Sequence, residues 1–169
     1  MKSKHLSLLR NLAGILLFTF TGFALSAQTS FAGSWSFNES KSNMGEGRFN
    51  RAYTSMVVTQ DAKVLTVEST RPGRDGVETK TTAKYNLDGS VSENQGRNST
   101  RKSTVSWSAD KTAMTITSTQ TMEMNGESRE MKSAETWKLA EGGKVLQIES
   151  SRRNREGQET MTTAAYDKK

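Results

Sequence analysis

The side chains able to do chemistry in this chain are carboxylates, hydroxyls, amines, guanidiniums and phenols. Its one histidine is His5, near the N-terminus, and it has no cysteine. Beyond residue 28 there is therefore neither imidazole nor thiol. That removes Ser–His and Cys–His nucleophilic pairs, and zinc sites built on His and Cys. No aspartate cluster has calcium-loop spacing, and no Gly-rich loop leads into a helix to cradle phosphate. No catalytic residue, metal or cofactor is expected. The groups that remain suit recognition better than turnover. Foremost are Arg71 and Arg152, because a planar guanidinium fork matches carboxylate and phosphate geometry.

These two arginines are equivalent positions of a repeat. Residues 63–85 (KVLTVESTRPGRDGVETKTTAKY) and 144–166 (KVLQIESSRRNREGQETMTTAAY) align without a gap and agree at 14 of 23 positions. Glu68 matches Glu149, Arg71 matches Arg152 and Tyr85 matches Tyr166. Each copy is an alternating apolar run, a Gly-containing break and a Thr-rich return ending in Tyr, which is the pattern of a β-hairpin.

Alternation continues elsewhere. A first strand is expected around Phe31–Phe37, then a loop over 38–51 and strands near 53–60, 64–70 and 77–86. Residues 90–100 read as a loop, since Val91 is their only large apolar residue. Beyond them, Val105 and Trp107 share one face, Met114 to Met124 alternate with Thr, and Asn125-Gly126 is a strong hairpin turn. No helical period appears. The expected fold is all-β: an antiparallel up-and-down meander of nine or ten strands closing into a barrel, because closure removes the edges of a long meander. An open or sandwiched antiparallel sheet is the alternative.

The faces assigned inward grade from apolar to polar. Leu65 and Val67 give way to Ser69 and Arg71, and Leu146 and Ile148 to Ser150 and Arg152. Met114 and Ile116 precede Ser118 and Gln120, and Ser133 and Glu135 precede Trp137 and Leu139. Thr79 and Thr160 lie at the polar ends of the return strands. Since strands alternate in direction, the apolar ends share one level and the polar ends the other. The expected site is the polar end: Arg71, Arg152, Glu135, Gln120, Ser133, Thr79 and Thr160 around a small polar or anionic ligand.

The first 28 residues have the order of a secretory signal: Lys2, Lys4 and Arg10, then a mostly apolar run over 12–25, then Ala24, Ser26 and Ala27. The apolar run is about 14 residues, short of the roughly 20 a span needs. The expected organisation is a cleaved signal over 1–28 and one domain over 29–169, secreted or periplasmic. Without the signal's three basic residues, the 24 of the chain fall to 21 against 18 acidic ones, a net of +3. Such a mild and interspersed charge leaves no nucleic-acid footprint. Stable membrane insertion is not expected either, since the outward faces are Thr, Lys and Glu where a transmembrane barrel needs an apolar band.

The segment Phe31-x-Gly33-x-Trp35 at the head of an all-β domain resembles the opening of the calycins, the lipocalin and fatty-acid-binding group of barrels. A similar Gly-x-Trp followed by a Lys-Ser pair, here Lys41-Ser42, opens small secreted bacterial proteins. The resemblance implies an up-and-down barrel in which Phe31, Gly33 and Trp35 form the plug of the closed end. It does not carry fatty-acid binding with it. Two lid helices after the first strand have no counterpart, and the Arg-x-Tyr of the last strand is reduced to Tyr166, with Ala at 164.

The expected function is thus non-catalytic binding of a small-molecule ligand in the barrel mouth. One alternative is an interaction or structural protein of the envelope with a filled barrel and a protein partner the sequence does not specify. A second is an enzyme working through barrel carboxylates, Glu135 foremost.

Overall fold

The computed structural model describes residues 27–45, 52–73, 77–96, 99–124, 127–153 and 159–169. Residues 1–26 of the signal expected over 1–28 lie outside this set, as do the Gly-containing breaks at Asp75-Gly76 and Glu156-Gly157 and the hairpin turn expected at Asn125-Gly126. Among the described residues no helix is long and apolar enough to cross a membrane.

The chain forms ten antiparallel strands: β1 (Gly33–Asn43), β2 (Ser55–Gln60), β3 (Val64–Pro72), β4 (Glu78–Asn86), β5 (Ser92–Gly96), β6 (Ser99–Trp107), β7 (Ala113–Met124), β8 (Glu127–Ala140), β9 (Val145–Arg153) and β10 (Glu159–Lys168). They make one sheet in the order β4-β3-β2-β1-β10-β9-β8-β7-β6-β5. Sequence neighbours pair throughout, and β1 pairs with β10, so the meander rolls into a nearly closed barrel with β4 and β5 flanking its seam.

The two repeat copies are the hairpins β3–β4 and β9–β10, and they match in detail. Leu65 registers with Tyr85 and Arg71 with Thr79 in the first, Leu146 with Tyr166 and Arg152 with Thr160 in the second. The same bond closes the base of each. Leu87 N–H donates to the Lys63 carbonyl at 2.7 Å, and Lys168 N–H to the Lys144 carbonyl at 2.8 Å. Identical side chains at identical spacing thus produce identical pairing.

Burial follows the period of two, since successive side chains of a strand point to opposite faces. Met56, Val58, Leu65, Val67, Tyr85, Val105, Met114, Ile116, Trp137, Leu146, Ile148 and Tyr166 form one buried cluster inside the sheet. Each such side chain removed from water contributes about 1.5–3 kcal/mol. The cluster fills the end of the barrel where β2 turns into β3 and β8 into β9, termed the lower end below.

Three expectations are corrected. Strand β1 continues to Asn43 where a loop was expected from residue 38. Its register against β10 shifts between Asn38 and Asn43. The polar run survives as strand because side chains hold it: Ser42 Oγ donates to the Asn38 carbonyl at 2.6 Å and accepts from Ala165 N–H at 2.9 Å. Phe31 stands just before β1 rather than within a strand. Residues 92–96, expected as loop, form β5, paired from Ser92↔Ser103 to Gly96↔Ser99.

Strand β5 lacks apolar alternation because its inward side chains stitch the seam. Lys84 N–H donates to Asn94 Oδ1 at 2.8 Å, and Asn94 Nδ2 donates to the Lys84 carbonyl at 2.9 Å. Asn86 N–H donates to Ser92 Oγ at 2.7 Å, and Asn86 Nδ2 to the Val91 carbonyl at 3.2 Å. Amide and hydroxyl side chains thereby take the place of ladder bonds between β4 and β5, satisfying backbone groups that would otherwise form a bare edge.

Candidate functional site

The lower end is solid. Phe31 and Trp35 are fully buried, and the Trp35 indole Nε1–H donates to the Phe31 carbonyl at 3.0 Å. Phe31 stacks on Trp107 at 6.1 Å and meets Trp137 edge-on at 5.9 Å between ring centroids. Gln60 ties this segment across the barrel: its Oε1 accepts from Phe31 N–H at 2.9 Å and its Nε2 donates to the Thr29 carbonyl at 3.0 Å. Gly33 has φ +150°, and a Cβ there would stand 3.0 Å from Lys168 Cε, whose ammonium lies over the Trp35 ring. Only glycine suits that position without strain.

Above this floor the inward positions turn polar, and the walls differ. On β3, β4, β6 and β7 most inward polar groups satisfy one another, Arg71 and Thr79 at the upper end being the exceptions. Ser69 bonds Thr81 at 2.8 Å and buried Ser103 bonds buried Ser118 at 2.9 Å. Arg101 donates to Gln120 Oε1 at 3.1 Å, and Gln120 Nε2 donates to Ser99 at 2.9 Å. On β8, β9 and β10 the first polar inward positions above Trp137, Ile148 and Ala164 are Ser133, Glu135, Ser150, Arg152, Thr160 and Thr162, with Glu127, Arg129 and Met131 beyond them on β8. Among the described residues, none of those first six side chains makes a hydrogen bond or ion pair.

The structure places the expected site residues as follows. Arg71 and Arg152 occupy equivalent positions at the upper end, both exposed. Arg71 lies over the Tyr53 ring, its guanidinium carbon 4.1 Å from the centroid. Glu135 is half-buried and registers with Ile116 on one side and Ser150 on the other. Ser133 pairs with Ser118 and Arg152. Thr79 and Thr160 are exposed opposite Arg71 and Arg152 respectively. Gln120 is spoken for by Arg101 and Ser99, which sets it apart from the unpaired β8–β10 group.

Sequence reasoning missed Arg101. It belongs to the inward face of β6, two residues apart from Ser103 and Ser99, and counting back by twos from Val105 would have found it. Tyr85 and Tyr166 were read only as strand ends. Burial pushes both phenols well above their ordinary range; for Tyr85 the nearby Glu135 charge adds to this, while for Tyr166 a hydrogen bond with the Tyr53 backbone acts against it. Arg101 opposes the rise at Tyr85, and Arg71 at Tyr166. Glu135 therefore shares one electrostatic neighbourhood with two phenols and two guanidiniums. Among the described residues, no three His, Cys, Asp or Glu side chains converge as a metal site requires.

A separate hollow of about 260 Å³ lies over β2, β3 and β4, lined by Val57, Glu68, Lys80 and Thr82 among others. It opens on the outer face, since Val57 and Glu68 alternate with buried Val58 and Val67.

The architecture defines an up-and-down antiparallel β-barrel with a plugged lower end and an unevenly satisfied polar upper half. No protein-family model matches the chain, and no curated protein does either.

Proposed function

We propose that this chain is an exported lipocalin-like binding protein that takes a small polar or anionic ligand at the upper end of its barrel and does no chemistry on it. The observation that carries this reading is a charge imbalance. Arg71, Arg101 and Arg152 stand at inward register positions near the upper end beside one carboxylate, Glu135. Arg129 and Glu127, also at inward positions of β8, offset one another in charge. Guanidiniums held on rigid strands offer forked donors to an anion without a large ordering cost. The filled lower end leaves no room for a long hydrocarbon tail, which supports a compact ligand. Export rests on the leader-like order of residues 1–28.

The test is calorimetric binding of inorganic phosphate, succinate and citrate to the wild type and to the Arg71→Ala/Arg152→Ala double variant. At least one anion should bind. Loss of the two arginines should weaken it about tenfold or more, as charge-assisted hydrogen bonds contribute about 1.5–3 kcal/mol each. Both residues are exposed strand ends, so the melting temperature should hold. Unchanged affinity in the double variant would contradict the reading.

A further inference from the structure

Resting on that reading, we propose that the ligand is a hydroxylated anion, of the sugar-acid or sugar-phosphate type, seated against the β8–β9–β10 wall with a hydroxyl at Glu135 and its charged end at Arg152. The β3–β4 and β6–β7 walls have largely used up their polar groups on each other, through Ser69–Thr81, Ser103–Ser118 and the Arg101–Gln120–Ser99 chain. The β8–β10 wall has not. Ser133, Glu135, Ser150 and Thr162 face inward yet are half-buried rather than buried, so solvent reaches them within the sheet.

The chemistry of that wall is specific about what fits. Glu135 accepts only, Arg152 donates only, and the Ser and Thr hydroxyls do both. Arg152 registers with Ser133, and Glu135 with Ser150, so the opposite charges sit on adjacent inward rungs of neighbouring strands. Diagonal neighbours of this kind stand roughly 7–8 Å apart. They form no ion pair in the structure, which leaves an acceptor and a donor both available.

One rung deeper on β8 is Trp137, 2% exposed, whose Nε1 is the one buried side-chain polar atom among the described residues without a hydrogen-bond partner. Such a donor is costly to leave unmade. A hydroxyl is the group that accepts from an indole N–H while donating to a carboxylate. A bare carboxylate or phosphate held at Arg152 would leave Glu135 and the Trp137 indole unmatched, and a neutral sugar would leave Arg152 unmatched. An anion bearing hydroxyls meets every one of these demands.

The experiment is isothermal calorimetry of the purified protein with four probes: gluconate, glucose 6-phosphate, hexanoate and glucose. At least one of the first two should bind about tenfold or more tightly than both hexanoate and glucose, because a site that hydrogen-bonds hydroxyls discriminates strongly against analogues lacking them. Which of the two binds identifies carboxylate or phosphate as the charged end. Glu135→Gln should shrink the advantage over hexanoate, whereas Arg152→Ala should weaken every anion. Hexanoate binding as tightly as gluconate and glucose 6-phosphate, or a full advantage retained in Glu135→Gln, overturns the hydroxyl assignment while the anion-binding reading stands. Glucose binding as tightly as either charged sugar, or no binding by any anion, overturns that reading too.

Discussion

Glu135 and Arg152 stand on neighbouring strands, one inward rung apart, and do not pair. An ion pair between them would neutralise the wall they share. Held apart, they present an acceptor and a donor at different depths. Glu135 lies deeper, beside the apolar cluster, and Arg152 nearer the upper end. The separation comes from the fold itself, because register fixes which inward positions are level and the alternation of two fixes the rungs between them.

The two buried phenols predict the alkaline limit of the fold. Tyr85 and Tyr166 have folded-state pKa values raised mainly by burial. A group with a raised folded pKa contributes stability that is complete below its unfolded value, about 10 for Tyr. It is lost as pH climbs beyond that value. Tyrosinate absorbance at alkaline pH should therefore lack two phenols until circular dichroism reports unfolding, whereas the denatured chain titrates all of its tyrosines near 10. Complete ionisation near pH 10 with the fold intact would contradict this.

The Ser103–Ser118 hydroxyl pair predicts a coupling. Both residues are buried, and each is the other's side-chain partner. Ser103→Ala should cost about 1–3 kcal/mol by orphaning its partner, as should Ser118→Ala. The double variant should cost clearly less than the two single costs combined. Denaturant unfolding of the four proteins checks it, and strict additivity would show that the pair is not a unit.

Asn94 predicts the behaviour of the seam. Its amide supplies both bonds to the Lys84 backbone. Asn94→Ala should lower stability by about 1–3 kcal/mol, from two lost hydrogen bonds. It should also speed hydrogen exchange at the Lys84 amide, leaving β9 amides at their wild-type rates. An unchanged Lys84 rate would mean the seam is held by something else.

Much of this fold was legible in the sequence, for physical reasons that can be named. The repeat over 63–85 and 144–166 encoded two hairpins because its apolar residues recur every second position and its Gly-bearing breaks divide each copy. The grading from Leu65 to Arg71 is the grading of burial along β3. What escaped was held by polar side chains rather than apolar period. Strand β5 reads as a loop because Ser92 and Asn94 occupy inward positions to stitch the seam, and Arg101 was hidden with it. Strand β1 outran its expected end because the Ser42 hydroxyl, not an apolar side chain, fastens it to β10. The inequality of the two walls was equally hidden, since a serine paired to another serine and an unpaired one look alike in a sequence.

The most direct test of the binding account is a two-dimensional nuclear magnetic resonance titration of the labelled protein with gluconate and with glucose 6-phosphate. The account predicts saturable shifts, with at least one of them, at the Ser133, Ser150 and Thr162 amides, the Arg152 Nε–H and the Trp137 indole N–H. Saturable shifts confined to the outer hollow around Glu68 and Lys80, or none with either probe, would contradict it.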